Sequence, residues 1–396
     1  MSETILPARA ALIPPPAQAL SALLALAAAW ALGQHVATLP DGQALLLSVW
    51  LGVLFGALQQ RARFCFYCVS RDFIESRDAR GLLGVLAALA VGTLGYHAVF
   101  GAFLADPAAP RLPPGAHIGP VSWVLAAGAF SFGLGMAIAG SCISAQFYRL
   151  GEGALAAPVA LLGTALGFVL GFLSWNALYL GTLQEAPVSW LPHHLGYGGS
   201  LALQLLALGG LALVLARLHR PSAAVASTGP WWQRRWPTWA GGCLIGTLAA
   251  LAYLRVTPLG VTAELGSLAR TAADAAGVLP ERLEGLDTLR GCATAIKQAL
   301  WSPNGVFVIG LVLGALAAAL SAGDFRPRRP SAPELLRALL GGVLMGWGAM
   351  VALGCTVGTL LSGIMAAAVS GWVFALFCGA GLYGGWWLRQ RGGQRR

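Results

Sequence analysis

Seven cysteines give this chain of 396 residues its most distinctive chemistry, and four of them sit in patterns. Cys65 and Cys68 form a Cys-x-x-Cys within "QQRARFCFYCVSRDF", residues 59–73. Cys142 and Cys355 each end a Gly-x-Gly-x3-Ala-x2-Cys run, in "FGLGMAIAGSCISAQFYRLGEG" (132–153) and "MGWGAMVALGCTVGTLLSG" (345–363). A Cys-x-x-Cys is a redox or metal pair when its partners are supplied. Zinc would need two further ligands, and no second Cys-x-x-Cys or histidine cluster provides them. A thiol–disulfide oxidoreductase using Cys65 and Cys68 stays open, because its needs, an acidic thiol and a partner in bonding distance, are three-dimensional.

The repeated run points elsewhere. Glycines let a backbone leave helical geometry and let helices approach closely. A helix broken there exposes unpaired N–H groups at a new N-terminus, which inside hydrocarbon survive only against protein or a lined cavity. Such an N-terminus favours an anion, and a thiol beside it is a weak donor suited to a soft sulfur-containing ligand. The plain alternative is packing: free cysteine is often a small buried hydrophobe, and Gly-x-Gly often a helix contact. Two copies weigh against that alternative. The candidate site read from the repeat is therefore Cys142 and Cys355, supported by Gly133, Gly135, Gly140 and Ser141 in the first run and Gly346, Gly348, Gly354, Thr356 and Gly358 in the second, with the Cys65/Cys68 pair left open beside it. Cys243, Cys292 and Cys378 lack a motif and read as structural. No metal site or cofactor motif is expected, and without a Walker A lysine neither is ATP hydrolysis.

The elements that must position these residues are membrane helices. The chain is 57% hydrophobic and 10% charged, with mean hydropathy +0.71, whereas soluble domains are about one quarter charged. An all-α polytopic membrane protein of about ten spans is expected, near 17–38, 44–61, 81–104, 121–142, 154–180, 199–217, 239–256, 303–322, 338–355 and 366–388. The net charge of +10 lies in short loops and the "RQRGGQRR" tail, as inward-facing loops require, and forms no basic stripe for nucleic acid. Loops 61–80, 218–238 and 323–337 are arginine-rich, 105–120 holds only Arg111, and 181–198 has neither Arg nor Lys. Ten crossings with both termini cytoplasmic put every arginine-rich loop inside. The two cysteine runs then lie antiparallel, an inverted-topology repeat with broken or re-entrant helices.

The expected organisation is a polar, Pro-rich segment (1–16), a first membrane half (17–217), a cytoplasmic linker (218–238), a second half (239–388) with a polar insert at 257–302, and a basic tail (389–396). The first segment lacks a signal-peptide h-region and cleavage site. The insert reads as one or two interfacial helices on the outer face. Arg149 and Glu152 read as a pair at the inner boundary. No span carries a central acidic residue, so an obvious proton relay is missing.

With "RARFCF", "AGSC…YRLGEG" and "GWGAMVALGCTVGTLLSG", the chain resembles the YeeE/YedE family of sulfur-compound transporters from about residue 45 to 388. The resemblance implies uptake of thiosulfate or a related sulfur oxyanion across the bacterial inner membrane, passed along by Cys65, Cys142 and Cys355. It also implies a cytoplasmic TusA-like sulfur-carrier protein as partner, beside the lipid bilayer. Some family members are tied to selenium compounds, so a selenium-compound transporter is the nearest alternative; a scaffold docking a carrier on its arginine loops is another. "LGVTAELGSLAR" (259–270) loosely matches a segment that opens the second half. Ser-Cys-Ile-Ser-Ala at 141–145 departs from the family's usual Gly-Gly-Cys followed by Gly.

Overall fold

A computed structural model describes residues 15–109, 111–220, 230–286, 296–297 and 299–393. Much of the 1–16 segment, part of the 218–238 linker, Cys292 in the insert and the end of the tail lie outside these residues. The elements are α1 (Pro15–Ala37), α2 (Gly42–Ala62), α3 (Phe66–Ser76), α4 (Arg80–Phe103), α5 (Trp123–Ala139), α6 (Ile143–Gly151), α7 (Ala157–Gly181), α8 (Leu191–Leu218), α9 (Thr238–Arg255), α10 (Ala263–Ala275), α11 (Pro303–Ser321), α12 (Ala332–Val351), the one-turn α13 (Gly363–Met365) and α14 (Val369–Gly393). Nine stretches of helix among the described residues are long and apolar enough to cross a membrane, two of them running through a break as Gly42–Ser76 and Trp123–Gly151. The protein is an all-α, multi-pass membrane protein. The expected 239–256 span is the helix α9, which is less apolar than those nine and closes on Arg255.

Among the described residues one local plan occurs four times: a long helix, a break, a short helix and a second long helix. The four runs are α2–α3–α4, α5–α6–α7, α9–α10–α11 and α12–α13–α14. Glycine sets how these pack. Gly135 on α5 faces Gly341 on α12, and Gly128 faces Gly348, so the two motif-bearing helices cross antiparallel with backbones in contact. A Cβ added to Gly135 would lie 2.6 Å from the Gly341 carbonyl oxygen. Gly133 and Gly346 do the same work toward Cys378 on α14 and Thr164 on α7. Close approach of this kind gives membrane helices the van der Waals contact that lipid cannot withhold from them.

The connections segregate to two faces. On the arginine-rich face, the Arg220 N–H donates to the Arg77 carbonyl (3.0 Å), the Trp236 N–H to Arg61 O (3.1 Å) and the Arg326 N–H to Glu152 O (3.0 Å). A buried clasp joins them. Arg61 pairs with Asp324, Arg235 Nη2 meets the same carboxylate at 3.1 Å, and Gln60 Nε2 donates to Glu152 Oε1 (3.1 Å) and Asp324 Oδ2 (3.2 Å). On the opposite face, the Val121 N–H donates to Pro187 O (2.9 Å), and Tyr253 OH donates to Pro114 O (2.9 Å). The insert begins as α10, whose N-terminal flank is buried at Leu259, Val261 and Thr262. This helix is the short arm of the third break: Gly266, Ala269 and Ala273 face inward as it packs on α7 and α11, while Leu268 and Asp274 are exposed.

Candidate functional site

The chain leaves helical geometry at the expected positions. α5 ends at Ala139, and Gly140 takes φ +80°, a left-handed conformation that glycine adopts without strain. Cys142 then caps α6 with extended backbone. α12 ends at Val351; Leu353 (φ 55°) and Gly354 (φ 156°) turn the chain, and Cys355 opens a wide π-type helix over Thr356–Ser362. A Cβ at Gly354 would collide with Thr359 Oγ1. Helix segments of this wide type recur at functional sites. Cys65 caps α3, and its Sγ accepts the Cys68 N–H at 3.4 Å.

These breaks meet in pairs. Toward the arginine-rich face, Gln59 Nε2 donates to Ser144 Oγ (3.2 Å), Ser144 Oγ shares a hydrogen bond with Cys142 Sγ (3.4 Å), and the Cys142 thiol lies within reach of Cys65. Toward the opposite face, Ser362 Oγ donates to Leu259 O at 3.3 Å, joining the third break to the fourth. The 363–368 segment is held from outside: Gln204 Nε2 donates to Ile364 O (2.5 Å) and Trp190 Nε1 to Ala366 O (2.8 Å). Cys65 and Cys142 are 0% exposed and Cys355 1%, while Cys68 is half-buried.

Burial without partners marks the same ground. Gln59 Oε1, Ser141 Oγ, Thr356 Oγ1, Thr359 Oγ1 and His117 Nδ1, with Thr93 Oγ1 and Tyr96 OH on α4, are enclosed polar atoms with no hydrogen-bond partner among the described residues. Leaving such an atom unpaired costs about 1–3 kcal/mol, so water or a ligand oxygen is the natural complement. Ser141 and Thr356 were expected near the site; Gln59, Ser144 and Thr359 were not. The doublet Gln59-Gln60 at the end of an apolar run was the available signal. Cys378, read as structural or incidental, is buried on α14, where its carbonyl faces Gly133 of α5. Gly133, Gly135, Gly346 and Gly348 do not line the breaks but serve helix crossings, whereas Gly140, Gly354 and Gly358 belong to the breaks themselves.

A cavity of about 720 Å³ opens below the first pair of breaks, lined by Tyr67, Gly140, Gln146, Arg149, Glu152 and Arg389 among others. Burial pushes the Glu152 carboxyl above its ordinary range. The expected Arg149–Glu152 pair does not form among the described residues: Glu152 accepts from Gln60, and Arg149 Nη1 donates to Gly140 O at 3.4 Å. The arrangement as a whole gathers buried thiols and hydroxyls at the breaks, with guanidinium groups at one end.

The sequence carries the same message. Residues 61–384 match the family described as Sulphur transport. The chain is 28% identical over 361 residues to a thiosulfate transporter TsuA of Escherichia coli (strain K12), covering 87% of this chain and 94% of the relative. It is 30% identical over 340 residues to a thiosulfate transporter TsuA of Spirochaeta thermophila, covering 83% and 93%. A shorter match, 32% over 83 residues and 21% of each chain, is to a probable transporter YedE of Escherichia coli (strain K12). A match spanning both cysteine runs and all four helix breaks makes the chain a member of the Sulphur transport (YeeE/YedE) family.

Proposed function

We propose that the protein imports thiosulfate, or a closely related sulfur oxyanion, across the bacterial plasma membrane. Both termini and the arginine-rich face lie in the cytoplasm, and the anion passes Cys355, then Cys142 and Cys65. The observation carrying this reading is the coincidence of buried thiols with enclosed, unpartnered hydroxyl and amide atoms at the meeting helix breaks. An oxyanion satisfies both, its oxygens taking O–H and N–H donors and its outer sulfur lying against soft thiols. Each contact is weak, and several weak sites in series let an ion enter and also leave. The relatives named as thiosulfate transporters support the substrate, and a TusA-like carrier on the arginine-rich face would receive it. The reaction is transport, not covalent turnover.

The Cys65–Cys68 contact keeps one rival in view, a redox pair. Both readings are separated by uptake of labelled thiosulfate into cells lacking other sulfate and thiosulfate uptake, at matched membrane expression. Cys65→Ala, Cys142→Ala and Cys355→Ala lose about tenfold or more, the effect of removing a buried polar contact at a narrow point. Cys68→Ser retains uptake. Parental uptake by Cys142→Ala would sink the thiol-lined path, and loss in Cys68→Ser would favour the redox pair.

A further inference from the structure

We propose that Arg149 and Arg389 form a receiving site at the arginine-rich mouth, where the oxyanion rests on their guanidinium groups after leaving Cys142. The inference rests on the transport reading for its ligand, and on three observations of its own.

The first is position. Arg149 Nη1 donates to Gly140 O (3.4 Å), while Arg389 Nη1 donates to Ala137 O (2.7 Å) and Tyr67 OH (3.2 Å). Arg389 Nη1 also lies 3.8 Å from where a Cβ on Gly140 would be, so both guanidinium groups converge on one residue. That residue is two before Cys142, and Tyr67 is two after Cys65. The end of α5 carries the negative pole of its dipole, which by itself repels a departing anion. Two guanidinium groups seated on those carbonyls reverse the sign.

The second is pairing. The four carboxylates lining the cavity are each engaged elsewhere: Glu75 by Trp386 Nε1 (2.9 Å), Glu152 by Gln60, Asp324 by Arg61 and Arg235, and Glu334 by Arg328 (2.6 Å). Neither Arg149 nor Arg389 is ion-paired with a carboxylate among the described residues. Glu152 is met by the neutral Gln60 amide, and burial pushes its carboxyl toward the neutral form. Two cations brought together with no carboxylate in ion-pair contact suit an anion, and a planar fork of N–H donors fits a tetrahedral oxyanion. The third is access. Both side chains line the 720 Å³ cavity, which also reaches Gln146, four residues past Cys142.

The test uses the whole protein in detergent and in proteoliposomes, with sulfate and thiosulfate as probes. Sulfate should raise the thermal midpoint of the parent relative to chloride at equal ionic strength, since a ligand held by the folded state alone stabilises it. Arg149→Gln/Arg389→Gln should need about tenfold or more sulfate for the same shift. In proteoliposomes, sulfate loaded on the arginine-rich side should slow thiosulfate uptake by the parent and not by the double variant, while sulfate on the other side affects both alike. Arg149→Lys and Arg389→Lys keep the charge, and an intermediate response from them separates lost binding from lost folding. Equal sulfate stabilisation of parent and double variant overturns the site, even if uptake is intact. Arginine-dependent sulfate binding by a parent that carries no thiosulfate upholds the site and overturns the transport reading instead.

Discussion

His117 should make this protein acid-labile in a defined window. It lies between α4 and α5, outside the membrane-crossing helices, yet its side chain is enclosed and Nδ1 has no partner. Beside it is a void of about 10 Å³ that Thr359, Leu353 and Ser370 also line, room for about one water. Burial pulls the imidazole from 6.5 down to about 4, and no neighbouring carboxylate offsets it. Between those values the unfolded chain binds a proton that the folded chain refuses. Stability is therefore fully present above pH 6.5 and is lost as pH falls toward 4. The two values imply a loss of about 2 kcal/mol by pH 5 and about 3 kcal/mol by pH 4. Thermal midpoints of the parent and His117→Gln in detergent, from pH 7.5 to 4.5, measure it. Carboxylates titrate in both proteins and cancel in the comparison, so the parent should fall more steeply than the variant. Parallel curves would refute the reasoning, because they would mean that the imidazole charges in place without penalty.

Two further outcomes stem from buried contacts. Asp324→Asn removes the counter-charge of Arg61, whose side chain is 3% exposed but still donates to Gln60 and to the Trp232 and Gln233 carbonyls. It should lower stability by about 1–3 kcal/mol; Arg61→Gln in the same chain should recover part of that in a double-mutant cycle, and strictly additive losses would argue against the clasp. Gly135→Ala places a Cβ 2.6 Å from Gly341 O and 2.8 Å from Met345 N, so it should cost about 1–3 kcal/mol of stability while leaving the half-saturation of surviving uptake unaltered. Gly379→Ala on α14, with nothing within 4 Å, is the matched control and should be neutral or slightly stabilising.

The break positions were legible because their residues act locally. Gly140 and Gly354 turn the chain where a left-handed φ is needed, and Cys142 and Cys355 cap the helical segments that begin immediately after them. The antiparallel setting of the two runs was legible from loop charge, and the crossing of Gly128 on Gly348 bears it out. What eluded the sequence is non-local. Gln59 meets Ser144 across 85 residues and Arg389 meets Tyr67 across 322, and neither partner advertises the other. The motif glycines divide between the two uses read for them, a break and a helix crossing, and only neighbours decide between the two. α10 was legible as an amphipathic helix, but the burial of Leu259, Val261 and Thr262 just before it was not, since it depends on the neighbouring breaks.

That third break bears on whether the cysteines are mere packing. Leu259-Gly260-Val261-Thr262 repeats Leu353-Gly354-Cys355-Thr356 with one change, valine for cysteine. Val261 is as enclosed as the thiols, at 0% exposed, and the break around it is held by the Ser362–Leu259 hydrogen bond. A helix can therefore be interrupted and sealed in this fold without a sulfur atom. If burial and backbone geometry were the whole demand, valine would serve equally at the other three positions, and more safely, since a thiol is open to oxidation. The scaffold explains why something small is buried at 65, 142 and 355. It does not explain why that something is a thiol, which the proposed ligand path and the rival redox pair each would.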